Sequence, residues 1–534
     1  DYNKEVLQTY YPRYLENLYE NIKKLNARYK EKNADFVNVD PPRKFQDLTL
    51  DDYPKIIDWF RFREYMLKSY LEVIEDVFKS YTVEPLFFRS LYFRPGELLP
   101  AYNLVPEDRS PFLGSNVFPE GNYFDLVNKA RFLKAEYGFA FATSFTCGKA
   151  ATDAKREMEM SPIADNERRF FFASGLSAGY KGLNHYMFVD RDHWYGAPLH
   201  NDGTVSKGYD IIRKFNQQIT SIGFDEMDYQ PEIAVVGNRL YYWLRYTSSK
   251  KGFDYIERLM GESVVGVCRD FMRLKLHYGI RENREFESMK QYKLLFVPST
   301  EIMAEKDQEA LVELAKSGVH LVLCGLMPKY DDSFKECQVL ANHFRVKTMA
   351  DYNIETVSHK MGSFPAYVYG SIRSTDDGKV KKLAQCGSKT VGICSTRFKG
   401  NFHLFTFDMA SGGNHHKLAF IESILENLGI SSYLYSSDPS VDISLHLGEK
   451  KSLLFIVVPP PGELSDGLES SEKEIIVRVD LKKAGFSSPR IKLTNIFSSE
   501  EEPEVLKLTA QQLHDGIAMK VKYPDGLIYL VEKK

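Results

Sequence analysis

Residues 138–162, "GFAFATSFTCGKAATDAKREMEMSP", place a hydroxyl and two carboxylates behind one apolar run. Ser144 stands near the end of that run, and Glu157 and Glu159 follow more than ten positions later. Carboxylates emerging there would suit retaining cleavage of a glycosidic bond. That chemistry needs two carboxyl groups about 5 Å apart, one attacking the anomeric carbon and one moving the proton. A serine needs a strong neighbouring base instead, and neither a G-x-S-x-G turn nor a local histidine or acid partner accompanies Ser144. A second dense group is Tyr186, Asp190, Arg191, Asp192, His193 and Trp194. Its aromatic rings offer flat apolar faces to a sugar, and its charges suit hydroxyls or an amine. The plainer alternative is a solvated polar loop around one packed tryptophan.

These groups need a scaffold, and the periodicity of the chain supplies one. Residues 1 to about 80 repeat apolar side chains at three- and four-residue spacing and are expected to be helical. Short apolar runs at 82–93, 110–118, 138–146 and 181–190 then read as strands, with amphipathic helices "YFDLVNKARFLKAEYG" and "DNERRFFFASGLSAGY" between the last three. Such alternation predicts parallel β/α units with functional loops after the strands. A closed (β/α)₈ barrel has eight strands, so the fold class expected is α/β, beginning with the C-terminal half of a barrel over 1–228. Because a half barrel exposes strand edges and apolar surface, the missing N-terminal barrel half is expected outside this sequence. Residues 229–438 restart at "PEIAVVGN" and continue as strand-helix alternation, the pattern of a doubly wound, amidotransferase-like sheet. Residues 439–534 alternate at period two and predict a small antiparallel β domain.

The middle domain has no phosphate-binding glycine loop. Cys324 and Cys394 sit where strands end, and a buried thiol is the expected role for each rather than a nucleophile. None of the six cysteines makes a CxxC or a zinc-ligand spacing, so no metal and no cofactor are expected. Free thiols point to a reducing, cytoplasmic compartment. With 70 basic and 73 acidic residues the formal charge is −3, which argues against nucleic acid and anionic membrane partners. No apolar run is long enough to span a bilayer.

Residues 181–219, "KGLNHYMFVDRDHWYGAPLHNDGTVSKGYDIIRKFNQQI", resemble the last barrel strand and following loop of family 35 glycoside hydrolases, the β-galactosidase group. Asn184, Tyr186, Met187 and Phe188 match one stretch of that motif, and Ala197, Pro198, Leu199, Gly203, Lys207 and Tyr209 match the next. The family's His-Gly-Gly-Thr-Asn loop is replaced by Val189-Asp190-Arg191-Asp192-His193, which implies a different sugar pocket. "DWFRFREYM" (58–66) is similar to a family 42 helix, and the restart near 231 resembles that family's second domain. The combination is most similar to archaeal exo-β-D-glucosaminidases. The resemblance implies a retaining exo-glycoside hydrolase acting on terminal β-linked glucosamine or galactose, with a small saccharide as partner and a homo-oligomer supported by the middle domain.

In these families the acid/base follows the fourth barrel strand and the nucleophile the seventh. The resemblance therefore puts the acid/base before Asp1 and the nucleophile position at Ser144, about forty residues ahead of Tyr186, where the family pattern has room for a loop and a helix. Glu159 and Glu157 lie too close to Tyr186 and remain the alternatives. A serine there implies inactivation at the nucleophile position, and the rival reading is a non-hydrolytic carbohydrate-binding protein on a glycosidase scaffold.

Overall fold

The structure, a computed structural model, describes residues 3–533 except 44, 46–47, 50, 82–87, 95, 102–111, 118–121, 151–163, 192–193, 207, 246–253, 376–377, 461–471 and 499–502. Glu157, Glu159, Asp192 and His193 lie outside the described residues.

The helical start consists of α1 (Tyr11–Tyr19), α2 (Ile22–Tyr29) and α3 (Tyr53–Tyr81). They close a small core of Tyr11, Leu15, Leu25, Trp59 and Phe62. Asp58 is buried in it and accepts a hydrogen bond from the Tyr29 hydroxyl at 3.0 Å and another from Tyr19. Only the first part of α3 is buried. Its later turns carry Tyr70, Val73, Val77 and Tyr81 exposed.

Four strands follow: β1 (Phe88–Leu91), β2 (Phe112–Val117), β3 (Ala140–Thr146) and β4 (Tyr180–Tyr186). They form one sheet in chain order with every pair parallel. Among the described residues this sheet does not close into a barrel. Helices α4 (Tyr123–Tyr137) and α5 (Asp165–Ala178) make the crossovers to β3 and β4. Each ends on a glycine at positive φ, Gly138 at 74° and Gly179 at 115°, a conformation that stops a helix cheaply only without a Cβ. The pattern expected of this segment is present, with one difference. The last strand stops at Tyr186 rather than near 190, because Met187 adopts φ 55°, a left-handed conformation that ends the ladder.

The middle sheet has a parallel core in the order Tyr278–Glu282, Ile233–Gly237, Leu294–Ser299, His320–Gly325, Phe402–Phe405. In chain order this is 2-1-3-4-5, the doubly wound arrangement of flavodoxin-like sheets. Strand-helix alternation does not continue throughout, however. Four antiparallel strands, Val346–His359, Gly362–Ser374, Val380–Cys386 and Lys389–Ser395, extend one edge. Val346–His359 and Val380–Cys386 are solvated over much of their length, so apolar periodicity does not flag them, whereas Gly362–Ser374 and Lys389–Ser395 are more buried. Cys324 is fully buried, points its Sγ at the Phe407 carbonyl, and burial pushes its thiol up to about 12; Cys394 is raised by burial too. Neither is an activated nucleophile.

The tail forms a five-stranded antiparallel sheet facing a three-stranded one across a core of Ile443, Ile456, Val477, Leu493 and Val531. This unit braces the helices of the parallel sheet. Arg169 makes a two-pronged contact with Asp525 at 2.9 and 2.8 Å, Tyr123 donates to Asp442 at 2.7 Å, and Ser177 meets Ser444 at 3.0 Å. Asp228 and Leu447 exchange backbone bonds, tying the connecting segment to the same sheet.

Tyr229, next in that segment, lies between two buried histidines. His277 stacks on it at 4.5 Å and His446 meets it edge-on at 5.0 Å. Both rings are held well below the ordinary histidine pKa, first by burial and then by cations: Arg131 and Lys134 for His277, Lys181 and Lys134 for His446. The folded state keeps them neutral, whereas the unfolded chain protonates them near pH 6.5. Their contribution is therefore intact above about pH 6.5 and is lost as the pH falls below it. We expect roughly 1 kcal/mol of stability lost per histidine per pH unit below about pH 6. Melting temperatures from pH 7 to 5 should fall less steeply for His446→Asn than for the unsubstituted protein; equal slopes would contradict the assignment.

Candidate active site

Ser144 and Tyr186 stand at the C-terminal ends of the neighbouring strands β3 and β4, and a break in the ladder sets the geometry. Opposite β2, Ser115 pairs with Ala142 but Asn116 pairs with Ser144, leaving Thr143 as an extra residue. Opposite β4, Ala142 pairs with Leu183 and Phe145 with His185, so Thr143 and Ser144 together face the single residue Asn184. Two residues against one is a β-bulge, a device that re-aims side chains and recurs beside active sites. Asn184 fixes it by donating from Nδ2 to the Thr143 carbonyl at 2.9 Å.

The alternation of β3 explains where its side chains go. Ala142 and Phe145 are fully buried, and Phe145 stacks on Phe172 of α5 at 6.0 Å. Gly175 permits that approach, since a Cβ there would come within 2.9 Å of the Phe145 ring. Thr143 is on the other face, where its hydroxyl reaches Ser90 at 3.0 Å and Asn116 at 2.9 Å. Ser90, Asn116 and Asn184 are exposed on this open face, and Ser144 is half-buried at its edge. The bonded row Ser90, Asn116, Thr143 and Asn184 is neutral, so it supplies hydrogen bonds but no nucleophile.

The loops after β3 and β4 are zipped to one another. Lys149–Ala150 pairs antiparallel with Trp194–Tyr195, and the Cys147 amide donates to the Tyr186 carbonyl at 2.9 Å. Arg168 of α5 pins both from beneath. It is buried and donates to the Cys147 carbonyl at 3.0 Å and the Gly196 carbonyl at 2.7 Å. Gly208, just ahead of α6 (Tyr209–Ile222), leaves room for it, because a Cβ there would sit 2.3 Å from the guanidinium carbon. Sequence reading missed Arg168: in "DNERRFFFAS" it reads as one of several charges on a solvated helix face, and nothing local marks it as buried.

The flagged residues differ in how they are placed. Trp194 is half-buried and meets the Tyr186 ring edge-on at 5.5 Å, giving a paired aromatic surface beside the bulge. Asp190 is turned into its own loop: Oδ1 accepts from the Ala197 amide at 2.8 Å and Oδ2 meets His200 Nδ1 at 2.9 Å. That geometry gives it a loop-organising role instead of the sugar-facing one expected. Arg191 is exposed and closes a tight turn with Trp194 through backbone bonds. Cys147, three positions beyond Ser144, is no substitute nucleophile, since burial raises its thiol to about 12.

Known proteins resemble this chain in sequence and in fold. Residues 1–102 match the glycoside hydrolase family 42 "Beta-galactosidase" family, and residues 253–379 match "GLMA-like, second domain". The chain is 24% identical over 506 residues to a "Beta-1,2-glucosyltransferase" of Ignavibacterium album, covering 86% of this chain and 68% of that protein. It is 20% identical over 441 residues to an "Exo-beta-D-glucosaminidase" of Pyrococcus horikoshii, covering 76% of this chain but only 55% of that one. Its fold superposes with a TM-score of 0.74 on the β-galactosidase of Bacillus circulans sp. alkalophilus, at 11% identity, over 98% of this chain and 76% of that one. The chain thus spans little more than half to two thirds of the length of these two sequence relatives, and it is related to the family 42 β-galactosidases and the exo-β-D-glucosaminidases.

Proposed function

We propose that this chain forms the sugar-binding half of a retaining glycoside hydrolase scaffold for a terminal β-linked glucosamine or galactose, inactivated at the nucleophile position Ser144. The observation that carries the reading is the bulge at Thr143–Ser144 beside the Tyr186–Trp194 aromatic pair, both at the C-terminal ends of parallel strands, where (β/α)₈ enzymes place their chemistry. On this reading β1 to β4 are barrel strands five to eight, within units bounded at 1–228, 229–438 and 439–534. The exposed apolar residues Tyr70, Val73 and Val77 on α3 support a further layer that covers them.

On this reading each part has a role. Asn184 fixes the bulge and Arg168 holds the two loops at one spacing. Trp194 and Tyr186 offer the ring faces on which a pyranose packs. Ser144 leaves the space of a carboxylate without supplying one. The second reading, saccharide binding without hydrolysis, is favoured by the neutrality of the Ser90–Asn116–Thr143–Asn184 row.

Calorimetric titration of glucosamine and galactose, run beside an aryl β-glycoside assay on the full-length protein, tests the proposal. Saccharide binding with little turnover is expected, and Trp194→Ala should weaken binding about tenfold, or 1.4 kcal/mol. Binding of neither sugar, or an affinity indifferent to Trp194→Ala, would remove the site.

A further inference from the structure

Away from the C-terminal strand ends, a cavity of about 400 Å³ lies between α4, the segment Tyr229–Glu232, the start of the strand Tyr278–Glu282 and the segment Gln291–Lys293. It sits beside Gly138, at the end of the sheet where β3 begins, opposite to Ser144. Arg131, Lys134, Gln230, Glu232, Gln291 and Lys293 supply its polar lining. Two of the three cations have carboxylate partners: Lys134 pairs with Asp228 and Lys293 with Glu232. Arg131 makes no close carboxylate ion pair among the described residues, and the charge of Asp442 acts on it without a direct contact. Its guanidinium lies 4.0 Å from the Tyr278 ring centre, the residue is 5% exposed, and Nε and Nη1 are buried without a hydrogen-bond partner.

More unused donor capacity lies around the same tyrosine. Tyr278 donates to Asn128 Oδ1 at 2.7 Å, which leaves Asn128 Nδ2 buried and unpartnered one turn before Arg131 on α4. His277 Nε2, on the adjacent residue, is likewise buried without a partner. A buried guanidinium is tolerated only when a counter-charge or acceptors satisfy it. Asp442, whose charge reaches Arg131, already accepts from Tyr123, and the guanidinium Nε and Nη1 are left without a direct acceptor.

We propose that the cavity between α4 and the middle sheet binds a small anion, an oxyanion or carboxylate of about one net charge, held by Arg131 with Lys134 at its edge. An anion there would bridge the parallel sheet and the middle sheet at the segment that joins them, so it would stiffen the junction without touching the sugar site. The inference stands apart from the proposed glycoside chemistry, and its readouts involve no sugar.

The test titrates the full-length protein with inorganic phosphate and, separately, with gluconate, at constant ionic strength set by sodium chloride. A saturable isotherm with one site per chain and a melting temperature that rises with the same midpoint are expected for at least one anion. Which of the two binds distinguishes oxyanion from carboxylate. Arg131→Met should abolish the isotherm, and because it removes two buried donors that lack an acceptor it should fold without added anion. Should Arg131→Met fail to fold, Gln230→Glu decides: a carboxylate of the same shape on the cavity wall should weaken anion affinity at least fivefold. Absence of saturable binding by both anions, as for a cavity holding water alone, overturns the proposal, as does an affinity unchanged by Gln230→Glu.

Discussion

Replacing Ser144 by Glu is expected to raise hydrolysis of an aryl β-glycoside by about 10³-fold or more, measured in protein carrying the complete barrel. In retaining chemistry a carboxylate attacks the anomeric carbon, forms a glycosyl ester and is then released by water. A lone hydroxyl does not substitute, because without a base to take its proton it is a poor nucleophile and its glycoside a poor leaving group. On the proposed reading Ser144 holds the position of that carboxylate; it is half-buried in a bulge that Asn184 fixes from β4. Glu157→Gln and Glu159→Gln are the controls. If either abolishes a robust activity while Ser144→Glu adds none, the later glutamates carry the chemistry and the assignment of Ser144 fails.

Loss of Arg168 should have the next largest effect. Arg168→Met removes two charge-assisted bonds from the buried carbonyls of Cys147 and Gly196 and leaves those acceptors unsatisfied, a cost of about 3 kcal/mol. Denaturant melts should register that loss directly. Arg168→Lys separates positioning from stability, because an ammonium is a point charge that does not reproduce a planar fork spanning two carbonyls. Its melting temperature should stay within a few degrees of the parent while saccharide affinity falls about tenfold. A lysine variant with unchanged affinity would show that the loops hold their spacing without the fork.

Much of the scaffold was legible along the chain. The four strands, the two crossover helices and their stops at Gly138 and Gly179 follow from apolar periodicity and from a glycine's tolerance of positive φ, both local properties. The end of β4 was not, because nothing in "YMFVD" announces that Met187 will turn left-handed; the packing of the loop that follows decides it. The antiparallel strands Val346–His359 and Val380–Cys386 were hidden for a related reason: solvated over much of their length, they lack the apolar alternation by which a strand is recognised.

The site divides in the same way. The aromatic and charged cluster at 186–194 and the approach to Ser144 stand out by residue type alone. Asp190 shows the limit of that signal, since a carboxylate in a loop reads the same whether it faces a ligand or, as here, the amide of Ala197 and the ring of His200. Arg168 shows the converse. It lies 28 residues from Gly196 and 21 from Cys147, and only the packing of α5 under both loops turns an ordinary helical charge into their common anchor. Sequence alone determined the parallel β/α elements around the site and which residue types reach their strand ends, because propensity and periodicity act over a few residues. The tertiary structure decided which of those polar groups are spent on each other and which stay open, because hydrogen-bond satisfaction is settled only when distant segments meet.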